Sequence, residues 1–316
     1  MAEEKKKLLK VYGSGIEIID DDLYKKVDGG NLSASMANSF LACPADWFLD
    51  KYILPLIEHE EPIFFARGTA YHKVMEHFFT LPPEERDPHS LAKLTMTTMQ
   101  SEYPDLAADP ESVDWMKDAI RDYLRMGFKY KEDIIPQVRI GNRNPQIGLE
   151  LFLKGKFNTK RPIVGFVDKL ALQEDMLGNP RMVMQDWKTG KTVHRYDPNK
   201  PISSSNSFDY PRQQTLYAML LEKSGIQLAD ASLIFPVANA VIDIDFKNEQ
   251  IRSQAVADIQ KLDVRLDECI KKNFFPFTPA IFCNWCHLLY EGRTVGRNNP
   301  PKININEFNE LVEYAD

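Results

Sequence analysis

From residue 147 onward the sequence alternates between strand-like and helical patterns, and this order constrains the fold more than any other feature. Three strand patterns come first, the last two separated by a Gly-Asn-Pro turn: IGLELFLKG, IVGFVDKLALQE and RMVMQDWKTG. The patterns that follow are a helix over residues 209–224, the strands ASLIFPV and AVIDIDF, and an amphipathic helix over 247–273. This order predicts an α/β fold, a mixed β-sheet flanked by helices.

The first half of the chain is predicted to be mostly helical. Residues 1–31 are charged and contain glycine, and we expect an irregular lead-in there. The helical patterns that follow are two short helices within 33–52 separated at Pro44, a helix over 66–80, and an N-terminal helical insertion at about 82–135. We expect residues 32–316 to form a single domain, which ends in a cysteine-containing segment at 274–316.

Composition and charge exclude several classes of protein. The chain has 316 residues, of which 43% are hydrophobic, enough for an ordinary core. A formal net charge of −7 excludes binding of nucleic acid through overall charge, although a local basic groove is compatible with that sum. No segment reaches the roughly 18 uninterrupted apolar residues of a membrane helix, and the N-terminus lacks the apolar core of a signal peptide. We therefore expect a cytoplasmic protein without membrane association.

Acidic and basic residues cluster on the predicted strands. Asp168 lies in the second strand, and Asp186 and Lys188 end the third. If these strands form a hairpin, the two carboxylates approach each other and require a hard cation such as Mg²⁺ or Mn²⁺. His72, on the helix ahead of the sheet, adds an imidazole ligand, and the backbone carbonyl of Trp187 is a further candidate. The Trp187 side chain is expected to point the other way, into the packing.

Lys188 lies two residues after Asp186 and therefore on the same face of the strand. Its ammonium group can orient an attacking water or neutralise a pentavalent phosphate, while the metal activates the water. Each residue also has an ordinary explanation, because Asp-x-Lys is a common charge pair and a single histidine such as His72 is more often a surface or core residue. The ordered set of Asp168 with these three residues is harder to explain in that way.

Five motifs in order resemble the PD-(D/E)XK nuclease superfamily, and within it the RecB/AddB-type branch, which includes CRISPR-associated RecB-like exonucleases. The motifs are SASMANSFLACPADWFLDKY, GTAYHKVME, GFVDKLAL, QDWKTGK and RQQTLYA. The resemblance implies a restriction-endonuclease-like fold. It also implies that His72, Asp168 and Asp186 are metal ligands and that Lys188 is the catalytic lysine.

The last motif places Gln213 and Tyr217 one helical turn apart, on one face of a helix. The resemblance implies that this face borders the active site and that both residues belong to the catalytic set. The alternative is a core tyrosine beside an exposed glutamine.

An upstream glutamate belongs to the site in some relatives, but here His72 fills the helix position, and Glu150 is assigned to the strand surface or to a place behind the ligands.

The four cysteines bear on a second cofactor. Many members of this branch hold a 4Fe–4S cluster with one cysteine upstream of the nuclease core and three downstream. Cys43, Cys283 and Cys286 match three of these positions, but the final downstream cysteine is absent, and Cys269 lies upstream on a predicted helix. Either Cys269 or His287 completes the set, or the site is a remnant with zinc or free thiols. An intact iron–sulfur cluster is not the favoured interpretation.

The predicted function is metal-dependent hydrolysis of DNA, by an exonuclease that acts on single strands or ends in recombination, repair or phage DNA metabolism. Lys191, Arg195 and Arg212 lie near the predicted mouth of the site and are candidate DNA contacts. The chain has no GxxxxGK(S/T) motif, so a helicase or recombination partner would act in trans. Two alternatives stay open: a non-catalytic DNA-binding or assembly protein with the nuclease fold, and a carboxylate–metal hydrolase of small phosphate esters.

Overall fold

The structure is a computed structural model that describes residues 6–127, 132–140, 143–191, 193, 208–278, 285 and 303–315. The chain divides into two compact units. The first unit contains residues 1–62, 156–163 and 256–316, and the second contains 63–155 and 164–255. The single domain predicted over 32–316 therefore draws on both units.

The described elements alternate along the chain. The helices are α1 (Asp21–Asp28), α2 (Met36–Ala42), α3 (Pro44–Phe48), α4 (Ile63–Thr80), α5 (Pro88–Glu102), α6 (Pro104–Ala108), α7 (Pro110–Arg125), α8 (Asp209–Lys223), α9 (Glu249–Lys271) and α10 (Ile305–Leu311). The strands are β1 (Leu9–Tyr12), β2 (Gly15–Ile18), β3 (Asp133–Ile134), β4 (Leu149–Gly155), β5 (Ile163–Glu174), β6 (Pro180–Trp187), β7 (Asp230–Phe235), β8 (Ala240–Asp243), β9 (Phe275–Pro276) and β10 (Val312–Tyr314). Shorter helical turns occur at Leu49–Ile53, Leu54–Leu56 and Pro83–Glu85.

The first unit contains a four-stranded sheet in the order β10-β1-β2-β9. β1 and β2 form an antiparallel hairpin, and β10 pairs with β1 in parallel. α1 begins after Asp20, whose carboxylate accepts a hydrogen bond from the Leu23 backbone N–H. The irregular lead-in predicted for residues 1–31 is therefore wrong for 9–28. The strands there are short, and they pair with strands near the other end of the chain, which local sequence patterns do not reveal.

The second unit contains a six-stranded mixed sheet, as the order of patterns predicts. Its order is β3-β5-β6-β7-β8, and β4 also pairs with β5. β5 and β6 are antiparallel, β6 and β7 are parallel, and β7 and β8 are antiparallel. A parallel neighbour requires a crossover connection, and α8 lies between β6 and β7 in the chain. The α/β fold class is confirmed.

Helices α4 to α7 supply most of the helical core of the second unit. Tyr71, Val74 and Phe78 recur at helical spacing along α4, and all three are fully buried. They belong to one apolar cluster with residues of α5, α7 and the sheet, including Trp187. The helical insertion predicted at about 82–135 contains α5, α6 and α7, with β3 at its end.

Trp187 ends β6 and anchors the sheet against α4. Its side chain is fully buried and stacks on the Phe79 ring, with centroids 5.8 Å apart and an interplanar angle of 16°. Burial of an aromatic side chain of this size is among the larger apolar contributions to a core. The packing confirms that the Trp187 side chain points into the core, where its ring also meets the His72 ring edge to face, with centroids 6.0 Å apart. Among the described residues, no helix combines the length and apolarity needed to cross a membrane.

Candidate active site

The β5–β6 hairpin determines where the two predicted aspartates lie. Lys169 pairs with Gln185 across the two strands, so Asp168 and Asp186 occupy the next position on each strand. Lys169 is fully buried against Glu132, with 2.5 Å between Nζ and Oε2. Because neighbouring residues point to opposite faces of a sheet, Asp168 lies on the face opposite Lys169. The hairpin that the sequence predicts therefore brings the two aspartates together.

One cluster of ligand-type side chains in the described part of the chain has the compactness of a metal site. It consists of His72 from α4, Glu150 from β4 and Asp168 from β5. One ligand atom from each of the three lies within 4.8 Å of the other two. A nitrogen and two carboxylate oxygens at this separation can converge on a single divalent cation.

Asp168 is the most buried member of this metal cluster. Its Oδ2 accepts a hydrogen bond of 2.7 Å from the Trp187 backbone N–H and lies 3.4 Å from His72 Nδ1. Burial and the neighbouring charge of Asp186 raise the pKa of Asp168 well above its ordinary value, although Lys188 opposes the effect. A carboxylate whose charge is disfavoured in this way is stabilised by a bound cation.

Asp186 and Lys188 form an ion pair beside the metal cluster, with 2.5 Å between Lys188 Nζ and Asp186 Oδ2. The pair confirms that both side chains share one face of the chain, as their spacing predicts. Burial favours the neutral form of Lys188, but the carboxylates of Asp186 and Asp168 outweigh it and raise the pKa of the ammonium group. Lys188 therefore stays charged in the metal-free site.

Glu150 was assigned from sequence to the strand surface or to a place behind the ligands, and the structure instead places it among them. Its backbone has a φ of 45°, a left-handed conformation that is uncommon for a strand residue other than glycine. Burial, followed by the charges of Glu76 and Asp186, raises the pKa of Glu150 to about 7. Strained backbone of this kind is often found at functional sites. The upstream glutamate of some relatives was the signal that could have identified it.

His72 approaches the metal cluster from α4. Burial lowers the pKa of its imidazole, which is the direction that favours the neutral, ligating form. A hydrogen bond between the ring and the Trp187 backbone has a smaller, opposite effect on this pKa, and the Trp187 carbonyl as a ligand stays a prediction. One helical turn earlier, a Cβ on Gly68 would lie only 2.9 Å from Thr189 Oγ1. Glycine there lets α4 approach the segment that carries Lys188.

Gln213 and Tyr217 share one face of α8, as their spacing predicts. Gln213 Nε2 donates to the Tyr217 hydroxyl over 3.3 Å, and Tyr217 is buried. A Cβ on Gly165 would lie within 2.2 Å of that hydroxyl, so any side chain at this position would collide with the tyrosine. Burial has the largest effect on the pKa of Tyr217, and the charges of Asp186, Lys188 and Asp168 have smaller effects on it. Gly165 thus allows the α8 face to border the aspartates.

A pocket of about 990 Å³ opens onto this cluster. Its lining includes His72, Glu150, Lys188 and Lys191. A pocket of this size can admit more than a single small ligand group. The clustered charges are therefore accessible to a substrate.

The candidate DNA contacts have different environments. Lys191 is exposed and lines the pocket. Arg212 is buried, and its guanidinium pairs with Asp209 at 3.0 Å. A DNA contact by Arg212 stays a prediction. Arg195 lies outside the described residues.

Two of the candidate cluster cysteines are described, and both lie in the first unit. Cys43 and Cys269 are buried free thiols. Burial raises the pKa of both, to about 11 for Cys269, which disfavours the thiolate form that binds iron or zinc. Cys283 and Cys286 lie outside the described residues, so the alternatives for the cysteines stay open.

The residues of the second unit fit a divalent cation. The charged forms of the half-buried Glu150 and the buried Asp168 are disfavoured, as their raised pKa values show, and a cation would compensate that charge. Oxygen ligands favour Mg²⁺ or Mn²⁺, and the imidazole of His72 shifts the preference toward Mn²⁺. With Lys188 beside the ligands, the arrangement can place positive charge on two sides of a phosphate.

Comparison with known proteins agrees with this geometry. The family model for the PD-(D/E)XK nuclease superfamily matches residues 31–289. The fold is similar to a crystal structure from Eubacterium rectale titled "Putative exonuclease", with a TM-score of 0.50 and 11% identity, over 92% of this chain and 97% of that one. No curated protein matches the chain. The family match covers most of the sequence, and the chain therefore belongs to the PD-(D/E)XK nuclease superfamily.

Proposed function

We propose that this nuclease-superfamily protein is a metal-dependent deoxyribonuclease that hydrolyses phosphodiester bonds at the second-unit site. The observation that carries the proposal is the convergence of His72, Glu150 and Asp168 within 4.8 Å, beside the Asp186–Lys188 ion pair. A metal ion would activate water and a neighbouring ammonium group would stabilise charge on the phosphate, and both effects promote hydrolysis of a phosphodiester. We expect Mg²⁺ or Mn²⁺ to be the ion.

In the proposed mechanism, His72, Glu150 and Asp168 hold the ion, with Asp186 and the Trp187 carbonyl as further candidates. Once bound, the ion lowers the pKa of a water and neutralises charge on the phosphate. Lys188 is held by Asp186 and is charged, so it donates hydrogen bonds to the phosphate or to the attacking water and does not act as a base.

We further propose exonuclease action on single-stranded DNA or DNA ends, as in the RecB/AddB-type branch that the motifs resemble. Support comes from the ordered motifs, from the accessible pocket with Lys191 at its edge, and from the fold shared with the Eubacterium rectale protein. A helicase or recombination partner in trans stays a prediction of the same resemblance, and a cytoplasmic location stays a prediction of the sequence. An intact iron–sulfur cluster stays the less favoured interpretation of the cysteines.

A digest of linear and circular DNA tests the exonuclease proposal. We expect linear single-stranded DNA to be degraded with Mg²⁺ or Mn²⁺, and circular single-stranded DNA of the same sequence to stay intact, because an exonuclease needs an end. Products are followed by gel electrophoresis over time. Cleavage of the circle would show endonuclease action, and cleavage of neither form would favour the alternative of a non-catalytic DNA-binding protein.

A further inference from the structure

Helix α4 begins with large apolar side chains that the fold does not bury. Phe64 is 62% exposed and Phe65 is 56% exposed. Their rings lie against each other, with centroids 4.4 Å apart and an angle of 40° between the planes. Single exposed apolar residues are ordinary in proteins, but two adjacent aromatic rings with free faces are typical of a binding surface.

The aromatic pair lies at the edge of the candidate active site. Phe64 and Phe65 line the same pocket as His72 and Lys188. Phe65 and His72 are seven residues apart on α4, which places them on one helix face about 10 Å apart along the axis. Gly68 lies between them, against Thr189, and both residues line the same pocket, so one pocket extends from the rings to the metal cluster.

The chemistry of the pocket is that of a single-stranded nucleic acid site. The cationic groups in its lining include Lys188 and the exposed Lys191, which suit phosphates. Phe64 and Phe65 offer aromatic faces, which suit nucleobases of any sequence. A base has a free face only when it is unpaired, since the bases of a duplex stack on one another. Aromatic faces beside phosphate-binding groups therefore favour an unpaired strand.

We propose that Phe64 and Phe65 form a base-stacking platform, which holds unpaired bases of a DNA strand while the adjoining phosphate reaches the metal cluster. This inference rests on the proposed nuclease function and assigns its substrate class. A protein partner would use the apolar surface of the rings but would not need the lysines or a pocket that continues to His72. The continuity of the platform with the metal cluster therefore favours nucleic acid.

Binding of two fluorescein-labelled oligonucleotides tests the platform. One is a 20-nucleotide oligo(dT), and the other is an abasic strand with the same number of phosphates. Fluorescence anisotropy is measured in EDTA, so that no cleavage occurs. Loss of stacking is expected to weaken oligo(dT) binding by roughly 5- to 150-fold for each ring that holds a base, and Phe64→Ala/Phe65→Ala should leave abasic-strand binding almost unchanged.

Phe166→Ala is the matched control, because Phe166 is 52% exposed but does not line the pocket. It should bind both strands as the wild type does, and thermal unfolding should show that all variants fold. Phe64→Trp/Phe65→Trp should retain oligo(dT) binding, since the aromatic faces are kept.

Equal weakening on both strands would show that the rings support the fold of the site, and the platform would be rejected. Unchanged oligo(dT) binding by the double alanine variant would also overturn it and would favour a protein partner for this surface. The proposed nuclease function has a separate test. It is rejected if the wild type binds oligo(dT) through the platform but cleaves no DNA with Mg²⁺ or Mn²⁺.

Discussion

Replacing Lys188 with alanine is expected to lower the rate of DNA cleavage by about 10²- to 10³-fold, the usual loss when one group that stabilises the transition state is removed. The structure gives the reason, because Lys188 Nζ is the ammonium group 2.5 Å from Asp186 at the metal cluster, and its pKa is raised by the two aspartates. Single-turnover cleavage of a labelled oligonucleotide with saturating Mn²⁺ measures the effect. A rate within threefold of the wild type would contradict the role proposed for Lys188.

Removal of Lys188 also leaves the buried Asp186 carboxylate without its partner, which costs stability in the metal-free protein. Two further variants therefore accompany the alanine variant. Lys188→Arg keeps the charge and should retain more activity than Lys188→Ala if charge is what the site needs. Lys191→Ala removes an exposed lysine from the same pocket and should lower cleavage much less, because Lys191 is solvated and farther along the chain from the ligands. Thermal unfolding with metal checks that all three fold.

Asp168→Asn is expected to stabilise the metal-free protein. It is also expected to abolish the stabilisation that a bound metal gives. Burial and the charge of Asp186 raise the pKa of Asp168, so folding favours its protonated form. The folded state then binds more protons than the unfolded state between the two pKa values, and stability falls as pH rises through that window. Asparagine resembles the protonated acid, can still accept the Trp187 N–H, and removes this cost at neutral pH.

Thermal unfolding in EDTA and in excess Mn²⁺ tests this prediction. With metal at one hundred times its Kd, the wild type should gain about 2.7 kcal/mol, or roughly 4 °C in Tm, and Asp168→Asn should gain almost nothing. Glu174→Gln changes an exposed acid on the same strand and should follow the wild type under both conditions. A variant that is less stable than the wild type in EDTA, or that keeps the Mn²⁺ shift, would contradict the proposed role of Asp168 as ligand.

The sequence predicts much of the second unit because its signals are local. The strand patterns of β5 and β6 and the turn between them place Asp168 beside Asp186, and the period of two places Lys188 on the same side. The helical spacing in α8 likewise predicts the contact between Gln213 and Tyr217.

What the sequence did not predict depends on backbone detail or on distant pairing. Glu150 joins the metal cluster through a left-handed backbone at one strand residue, and no side-chain pattern encodes that φ. Lys169 and Glu132 form a buried ion pair 37 residues apart, a contact set by the packing of the insertion against β5. Residues 9–18 become strands because the C-terminal segment pairs with them. Arg212 is a basic residue at the predicted position on α8, but its side chain is buried, and the sequence does not show this.

The most direct test of the central claim is the metal dependence of cleavage by one preparation of the wild-type protein. A 5′-labelled single-stranded oligonucleotide is incubated with the protein in EDTA, then after dialysis into Mn²⁺ or Mg²⁺, with Asp168→Asn as the parallel sample. We predict no cleavage in EDTA, cleavage by the wild type once either metal is supplied, and none by Asp168→Asn at any metal concentration. Cleavage that persists in EDTA, or that Asp168→Asn retains at the wild-type rate, would contradict a metal site at His72, Glu150 and Asp168.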